Sequence, residues 1–305
     1  MDRTSPFFSQ VQLLVRVLPF IAEEPCFALK GGTAINLFVR DLPRLSVDID
    51  LVYLPLDSRD VALANVRAAL ERIATRITAS LPGIQIQRAF TLSDALRMLV
   101  QQYRTRIKIE LSPVLRGTIF PPQVQQVRPV VAETFGFAEL PVLGLPDLYA
   151  GKICAALDRQ HPRDLFDIKL LLANEGIDDA LRKAFLVYLI SHNRPMAELL
   201  APSRKDIRQT YEGEFRTMTQ LPVSLDELNA ARETLIALLQ REMTKDERQF
   251  LLSFKAGEPA WLLLGVEGAS SLPAVQWKQL NLAKMDSQKR QDGLKALQKV
   301  LYPVS

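Results

Sequence analysis

The sequence predicts an α/β (α+β) protein: an N-terminal mixed sheet flanked by helices, then a mostly helical C-terminal domain. Three observations carry this. Residues 27–52 read as strand, turn, helix and strand in close succession. Between residues 59 and 111, one long helical run precedes three short β-prone runs. From Leu145 onward the apolar residues recur at helical spacing. The implied domains are 1–144, bearing the sheet, and 145–305, helical, in a chain long enough for two cores.

The elements follow in order. Val11, Leu13, Leu14, Val17, Leu18 and Ile21 predict an amphipathic helix over 7–22. An apolar strand at Phe27-Ala28-Leu29 arrives at a Gly31-Gly32-Thr33 turn, and Ala34 to Val39 begin a helix. Pro43 excludes helix in the loop 41–44. The β-branched and apolar run from Val47 to Val52 reads as a strand. Pro55 to Ser58 supply a turn and cap for a helix over 59–80, which Leu81-Pro82-Gly83 stops. Strands are expected at 84–87, 95–102 and 105–111. The last alternates Arg106, Lys108 and Glu110 with Ile107, Ile109 and Leu111. Residues 121–143 are Pro-rich and β-prone. Helices follow over 146–159, with Pro and Asp in the first turn, and from Pro162 to Leu172. Beyond Ile177 the chain is mostly helical, with breaks near Pro195, Pro222 and Gly257-Glu258-Pro259. The basic C-terminal stretch reads as a solvated helix, with an RNA-binding or partner-binding face as the sharper alternative.

Composition excludes several classes. With 305 residues, 48% hydrophobic and 24% charged, the chain is an ordinary globular protein. The N-terminus has no signal-peptide shape, and no window is long and apolar enough for a membrane helix. Cys26 and Cys154 stand far apart in apolar surroundings, which implies a reduced, cytoplasmic protein without a disulfide. The net charge of +4 is compatible with an RNA or nucleotide partner and equally with a plain solvated surface. His161 and His192 have no metal-ligand spacing, and no P-loop is present.

The chemistry concentrates between Gly31 and Asp50. A Gly-Gly turn running into a helix leaves backbone N–H groups where partial positive charge favours a phosphate. Asp48 and Asp50, two apart on a strand, point to one face, and their mutual repulsion is relieved by a cation. Paired hard oxygens are what Mg²⁺ uses when it also holds substrate phosphates. Glu110 is a candidate third carboxylate on a neighbouring strand; the alternative is that it only pairs with Lys108 or Arg106. In the later helices Lys152 and Arg159 share a face, Asp164 favours the helix dipole, and Arg163 and Asp167 are spaced as an i,i+4 ion pair.

Gly31-Gly32-Thr33 followed by Arg44-Leu45-Ser46-Val47-Asp48-Ile49-Asp50-Leu51 resembles the first motif of the nucleotidyltransferase superfamily, and in its fuller wording the AbiEii/AbiGii toxin branch of type IV toxin–antitoxin and abortive-infection systems. Lys152-x₆-Arg159 and Arg163-Asp164-x-x-Asp167 are similar to later motifs of that family. The likeness extends to about residue 265. It implies a nucleotidyltransferase-type sheet and a helical domain that contributes Lys and Asp to the site. It implies Asp48 and Asp50 as metal ligands, with Glu110 as their partner. Gly31, Gly32, Thr33, Ser46, Lys152, Arg159 and Arg163 are implied as nucleotide-binding residues. Asp164 or Asp167 would be the later acid, with Asp167 preferred. The expected reaction is transfer of a nucleoside monophosphate from an NTP, with Mg²⁺ or its substitute Mn²⁺, to an RNA acceptor such as tRNA. A cognate antitoxin is the expected partner. A small-molecule or protein acceptor, a nucleotide-binding module that transfers nothing, and a non-catalytic interaction protein are the competing readings.

Overall fold

In the computed structural model, which describes residues 6–89 and 96–303, the chain divides into two units. One comprises residues 1–144 with 217–222, the other residues 145–216 with 223–305.

The first unit is built on a seven-stranded sheet of order β3-β4-β5-β2-β1-β7-β6. Its strands are β1 (Phe27–Lys30), β2 (Asp48–Tyr53), β3 (Ile84–Ala89), β4 (Leu96–Gln102), β5 (Thr105–Leu111), β6 (Gln123–Gln126) and β7 (Glu139–Val142). Ala95, the expected first residue of β4, lies outside the described residues. Pairing is antiparallel except between β1 and β7 and between β2 and β5. Alternation along the central strands sends Ile49, Leu51, Ile107 and Ile109 to a buried face. Helices α1 (Pro6–Ala22) and α3 (Arg59–Ser80) pack against the sheet, with Leu14, Leu18, Leu70, Ile73 and Ile77 fully buried. Each such aliphatic side chain contributes about 1.5–3 kcal/mol. The acidic residues of β2 and β5 therefore stand on the other face.

Two local expectations are corrected. The helix after β1 begins at Gly31 rather than Ala34: α2 (Gly31–Ala34) runs directly into a π-helical turn over Ile35–Val39. Gly31, at φ 76°, adopts a conformation that costs an L side chain, which is why a glycine opens it. The stretch 121–143 is not continuously β: α4 (Pro129–Phe135) separates β6 from β7, with Pro129 preset at its first position.

The return of residues 217–222 to the first unit has no sequence signal. Leu45 N donates to Met218 O at 2.8 Å, Gln220 N to Pro43 O at 2.9 Å, and Arg44 and Thr219 form an isolated antiparallel bridge. The loop that precedes the acidic strand is thus held by backbone from far along the chain.

The second unit is helical: α5 (Leu145–Asp158), α6 (Pro162–Asn174), α7 (Asp179–Ser191), α8 (Met196–Leu200), α9 (Arg208–Thr210), α10 (Leu225–Glu242), α11 (Lys245–Ala256), α12 (Trp261–Leu264), α13 (Pro273–Ala283) and α14 (Ser287–Leu301). A π turn over Tyr211–Phe215 follows α9. Ser224 with Glu227, and Thr244 with Glu247, form capping boxes that start α10 and α11, and left-handed Gly257 ends α11. Phe166 meets Phe215 with ring centroids 5.5 Å apart, and Phe250 meets Trp261 at 5.3 Å. No helix among the described residues is long and apolar enough to cross a membrane. Both thiols are free; Cys154 is buried, whereas Cys26 is only half-buried.

Candidate active site

In the first unit the register of three strands sets the site. Asp48 and Asp50, both half-buried, stand on the same face of β2. Parallel pairing puts Lys108 opposite Asp48 and Glu110 opposite Asp50. On the other side, antiparallel β1 puts Lys30 opposite Asp50. On β4, Arg97 lies opposite Glu110. Register partners share a face, so Lys30, Asp50, Glu110 and Arg97 form one row across four strands.

The electrostatics of that row are specific. Lys108 Nζ lies 2.6 Å from Glu110 and Arg97 reaches it at 3.4 Å. Burial alone would raise the Glu110 carboxyl, but Lys108 and Arg97 outweigh it and hold the group below its ordinary range. For Lys108, the pull of Glu110, Asp48 and Asp50 outweighs the opposing effect of burial, and its pKa is raised. Lys30 goes the other way: burial lowers it, against the partial opposition of Asp50 and Glu110. The ion pair of Glu110 with Lys108 is the one the strand alternation offered as its plainer reading.

The glycine turn abuts the row. A Cβ on Gly31 would lie 2.5 Å from Asp50 Oδ2, and one on Gly32 would lie 2.7 Å from an Arg44 guanidinium nitrogen and 2.9 Å from Ser46 Oγ. Backbone therefore approaches the acid as only glycine allows. Thr33 is fully buried, and its hydroxyl donates to Asp48 O at 2.5 Å with Ser46 Oγ at 3.1 Å. Thr33 and Ser46 thus brace the start of the acidic strand from within. Arg44, 2% exposed, donates to Leu45 O. Among the described residues no group of three or more His, Cys, Asp or Glu is placed to hold a metal. The pair Asp48 and Asp50 remains, a donor set that suits a hard divalent cation which also takes phosphate oxygens.

In the second unit α5 and α6 bring together the other expected residues. Lys152 Nζ lies 2.8 Å from Asp164 and 3.0 Å from Asp167, with all three side chains at most 6% exposed. Arg159 forks onto Asp164, Nε at 2.5 Å and a terminal nitrogen at 3.0 Å, while its own side chain stays 59% exposed. Burial opposes ionisation of Asp164, yet Lys152 and Arg159 take it far below the carboxylate range. His161 caps α6 by accepting from Arg163 N at Nδ1, and burial with the nearby Arg163 charge lowers its pKa. Arg163 itself is half-buried on the first turn of α6.

A strand-borne Asp-x-Asp beside a Gly-Gly turn, on a mixed sheet with a helical unit after it, is the arrangement the first motif implied. The model of the nucleotidyl transferase AbiEii toxin family, type IV toxin–antitoxin systems, matches residues 12–279. The chain belongs to this family. As an AbiEii toxin it is a nucleotidyltransferase. Among solved structures it is similar to MenT4, a nucleotidyltransferase toxin from Mycobacterium tuberculosis H37Rv: TM-score 0.62, 15% identity, 99% of this chain and 95% of that chain covered. At that identity the likeness is one of fold. None of the curated proteins compared matches the chain.

Within the AbiEii chain, sequence reasoning passed over Lys30, Lys108 and Arg97 as site members. Lys108 was visible on the polar face of its strand. Lys30 and Arg97 become neighbours of the acids only through strand order and register, which no local pattern encodes.

Proposed function

We propose that this toxin transfers a nucleoside monophosphate from an NTP to RNA, with tRNA the expected class, using a divalent cation held by Asp48 and Asp50. The observation that carries the reading is the aspartate pair on one strand face with the Gly31 backbone against Asp50. Bound there, Mg²⁺ supplies Lewis-acid neutralisation to the nucleotide phosphates. The backbone N–H groups at Gly31 and Gly32 favour the phosphates at a helix start. Thr33, bonded in turn to Ser46, holds the backbone of Asp48, fixing where its carboxylate stands. Glu110, kept ionised by Lys108 and Arg97, is poorly matched to accept a proton near neutral pH and serves to orient those cations. In the second unit, the buried Lys152–Asp164–Asp167 cluster fixes Arg159, whose exposed guanidinium is the cation offered to phosphate.

The test is incubation of the protein with each α-labelled NTP, Mg²⁺ and total bacterial RNA, beside the Asp48→Ala/Asp50→Ala variant. Label in tRNA-sized RNA with the native chain alone is the expected result, and it names the nucleotide. Transfer retained by the double variant defeats the assignment of the aspartates. Label confined to a small molecule or protein moves the acceptor.

A further inference from the structure

The hairpin that joins β4 to β5 departs from what its length favours. Gln102 and Thr105 are its last register pair, so Tyr103 and Arg104 alone form the loop. Two-residue hairpin loops favour Gly, Asn or Asp, because they need positive φ. Here the first position is a tyrosine at φ 53°, a conformation that costs a bulky L side chain. No burial offsets this: Tyr103 is 79% exposed, with its ring across Gly83, where a Cβ would lie 3.4 Å from it. Gln101 holds the tip, its amide donating to Tyr103 O at 3.0 Å and its side-chain oxygen accepting from Arg106 at 3.2 Å. Arg104 and Arg106 are exposed, and among the described residues neither pairs with a carboxylate. Gln85, Gln101 and Arg106 form one register row across β3, β4 and β5. Along β5, Lys108 lies opposite Asp48, three residues and about 10 Å from Thr105 at the tip.

We infer that this hairpin tip is where the acceptor RNA docks: a single-stranded stretch stacks a base on Tyr103, gives its phosphates to Arg104 and Arg106, and runs along β5 toward Asp48. The inference rests on the reading of RNA as the acceptor. An exposed aromatic ring beside two arginines is the combination that holds single-stranded nucleic acid, the ring serving any base and the cations tracking the backbone. Charge complementarity has a direction here. The tip is cationic, whereas Asp48, Asp50 and Glu110 stand further along the same face. The strained backbone at Tyr103 keeps the ring presented to solvent.

The experiment is titration of end-labelled bulk bacterial tRNA with the full chain, followed by fluorescence anisotropy at several salt concentrations. Arg104→Gln/Arg106→Gln is expected to weaken binding about tenfold and to flatten the slope of log affinity against log salt by about 1.4, two single-strand phosphate contacts at about 0.7 each. Tyr103→Gly and Tyr103→Asn, which tolerate the positive φ, are expected to melt no lower than the native chain and yet to bind RNA about fivefold more weakly, the loss of one stacked base. A merely structural tyrosine would not separate those two readouts. Lys295→Gln/Lys299→Gln on α14 should leave RNA binding at the native level, and NTP binding, read by thermal shift with Mg²⁺, should be native in every variant. Native RNA affinity in the hairpin variants, or a loss confined to the α14 variant, overturns the docking site and leaves the acceptor reading standing. A native chain that binds no tRNA overturns the acceptor reading, and this inference with it.

Discussion

Replacing Lys152 with methionine removes a cation that Asp164 and Asp167 share. The ammonium lies 2.8 and 3.0 Å from the two carboxylates, which are 1% and 0% exposed in their side chains. Removing one partner of a buried ion pair costs about 3–5 kcal/mol, because the charge left behind keeps its desolvation penalty. Arg159 still forks onto Asp164, so the lower end, about 3 kcal/mol, is expected. Both tryptophans of the chain, Trp261 and Trp277, lie in the second unit, so their fluorescence reports its unfolding selectively. With a urea m-value of about 2–3 kcal/mol/M, the midpoint should fall by roughly 1 M or more. The triple variant Lys152→Met/Asp164→Asn/Asp167→Asn should recover most of the loss, since neutral groups carry no such penalty. The pH dependence has a definite sign. Asp164 is depressed in the folded state, so its contribution is complete above the unfolded value, about 3.9, and is lost as pH falls toward the folded one. In Lys152→Met that acid-side loss should be smaller. A midpoint shift below about 0.3 M, under 1 kcal/mol, would refute the account of the cluster as a buried charge balance.

Gly31→Ala places a Cβ 2.5 Å from Asp50 Oδ2 at a positive φ, so nucleotidyl transfer should fall by about a hundredfold, as misplaced catalytic groups do, with the fold intact by circular dichroism. Glu24, buried and held by Arg72 at 2.7 Å and by Arg76, should cost about 1–3 kcal/mol when changed to alanine, read as a lower melting temperature. Thiol labelling should be slow in the native protein at pH 8. Burial, and then the Glu24 charge, push Cys26 up to about 11, leaving about one thiolate in a thousand, and Cys154 is buried more deeply. Denaturation should expose both thiols; rapid native labelling of Cys26 would contradict its environment.

The sequence made some of this legible and concealed the rest for identifiable reasons. Helix α3 was readable because Pro55 to Ser58 begin it, apolar residues recur at 3.6 spacing and Leu81-Pro82-Gly83 end it. The shared face of Asp48 and Asp50 follows from strand alternation alone. Helix α4 was hidden because Pro129, Val130 and Val131 are poor helix residues except in a first turn. The π turn at Ile35–Val39 was hidden because a single widened turn leaves the apolar pattern almost unchanged. Lys152, Asp164 and Asp167 were each placed on a helix, but that both acids meet the same ammonium depends on how α5 packs on α6. Lys30 ends the first strand in plain view, yet its charge acquires meaning only opposite Asp50.

The tie made by residues 217–222 bears on how the chain is synthesised. Translation delivers the acidic strand early, but the backbone that pairs with Pro43, Arg44 and Leu45 belongs to residues made much later. At about 5–20 residues per second, the interval between Gly144 and Pro222 is roughly 4–16 s. During it the loop leading into Asp48 lacks the donors and acceptors that close it. A product that stops before Thr217 therefore carries the aspartates without the segment that holds their loop, and the first unit is completed only after residues 145–216 of the second have been made.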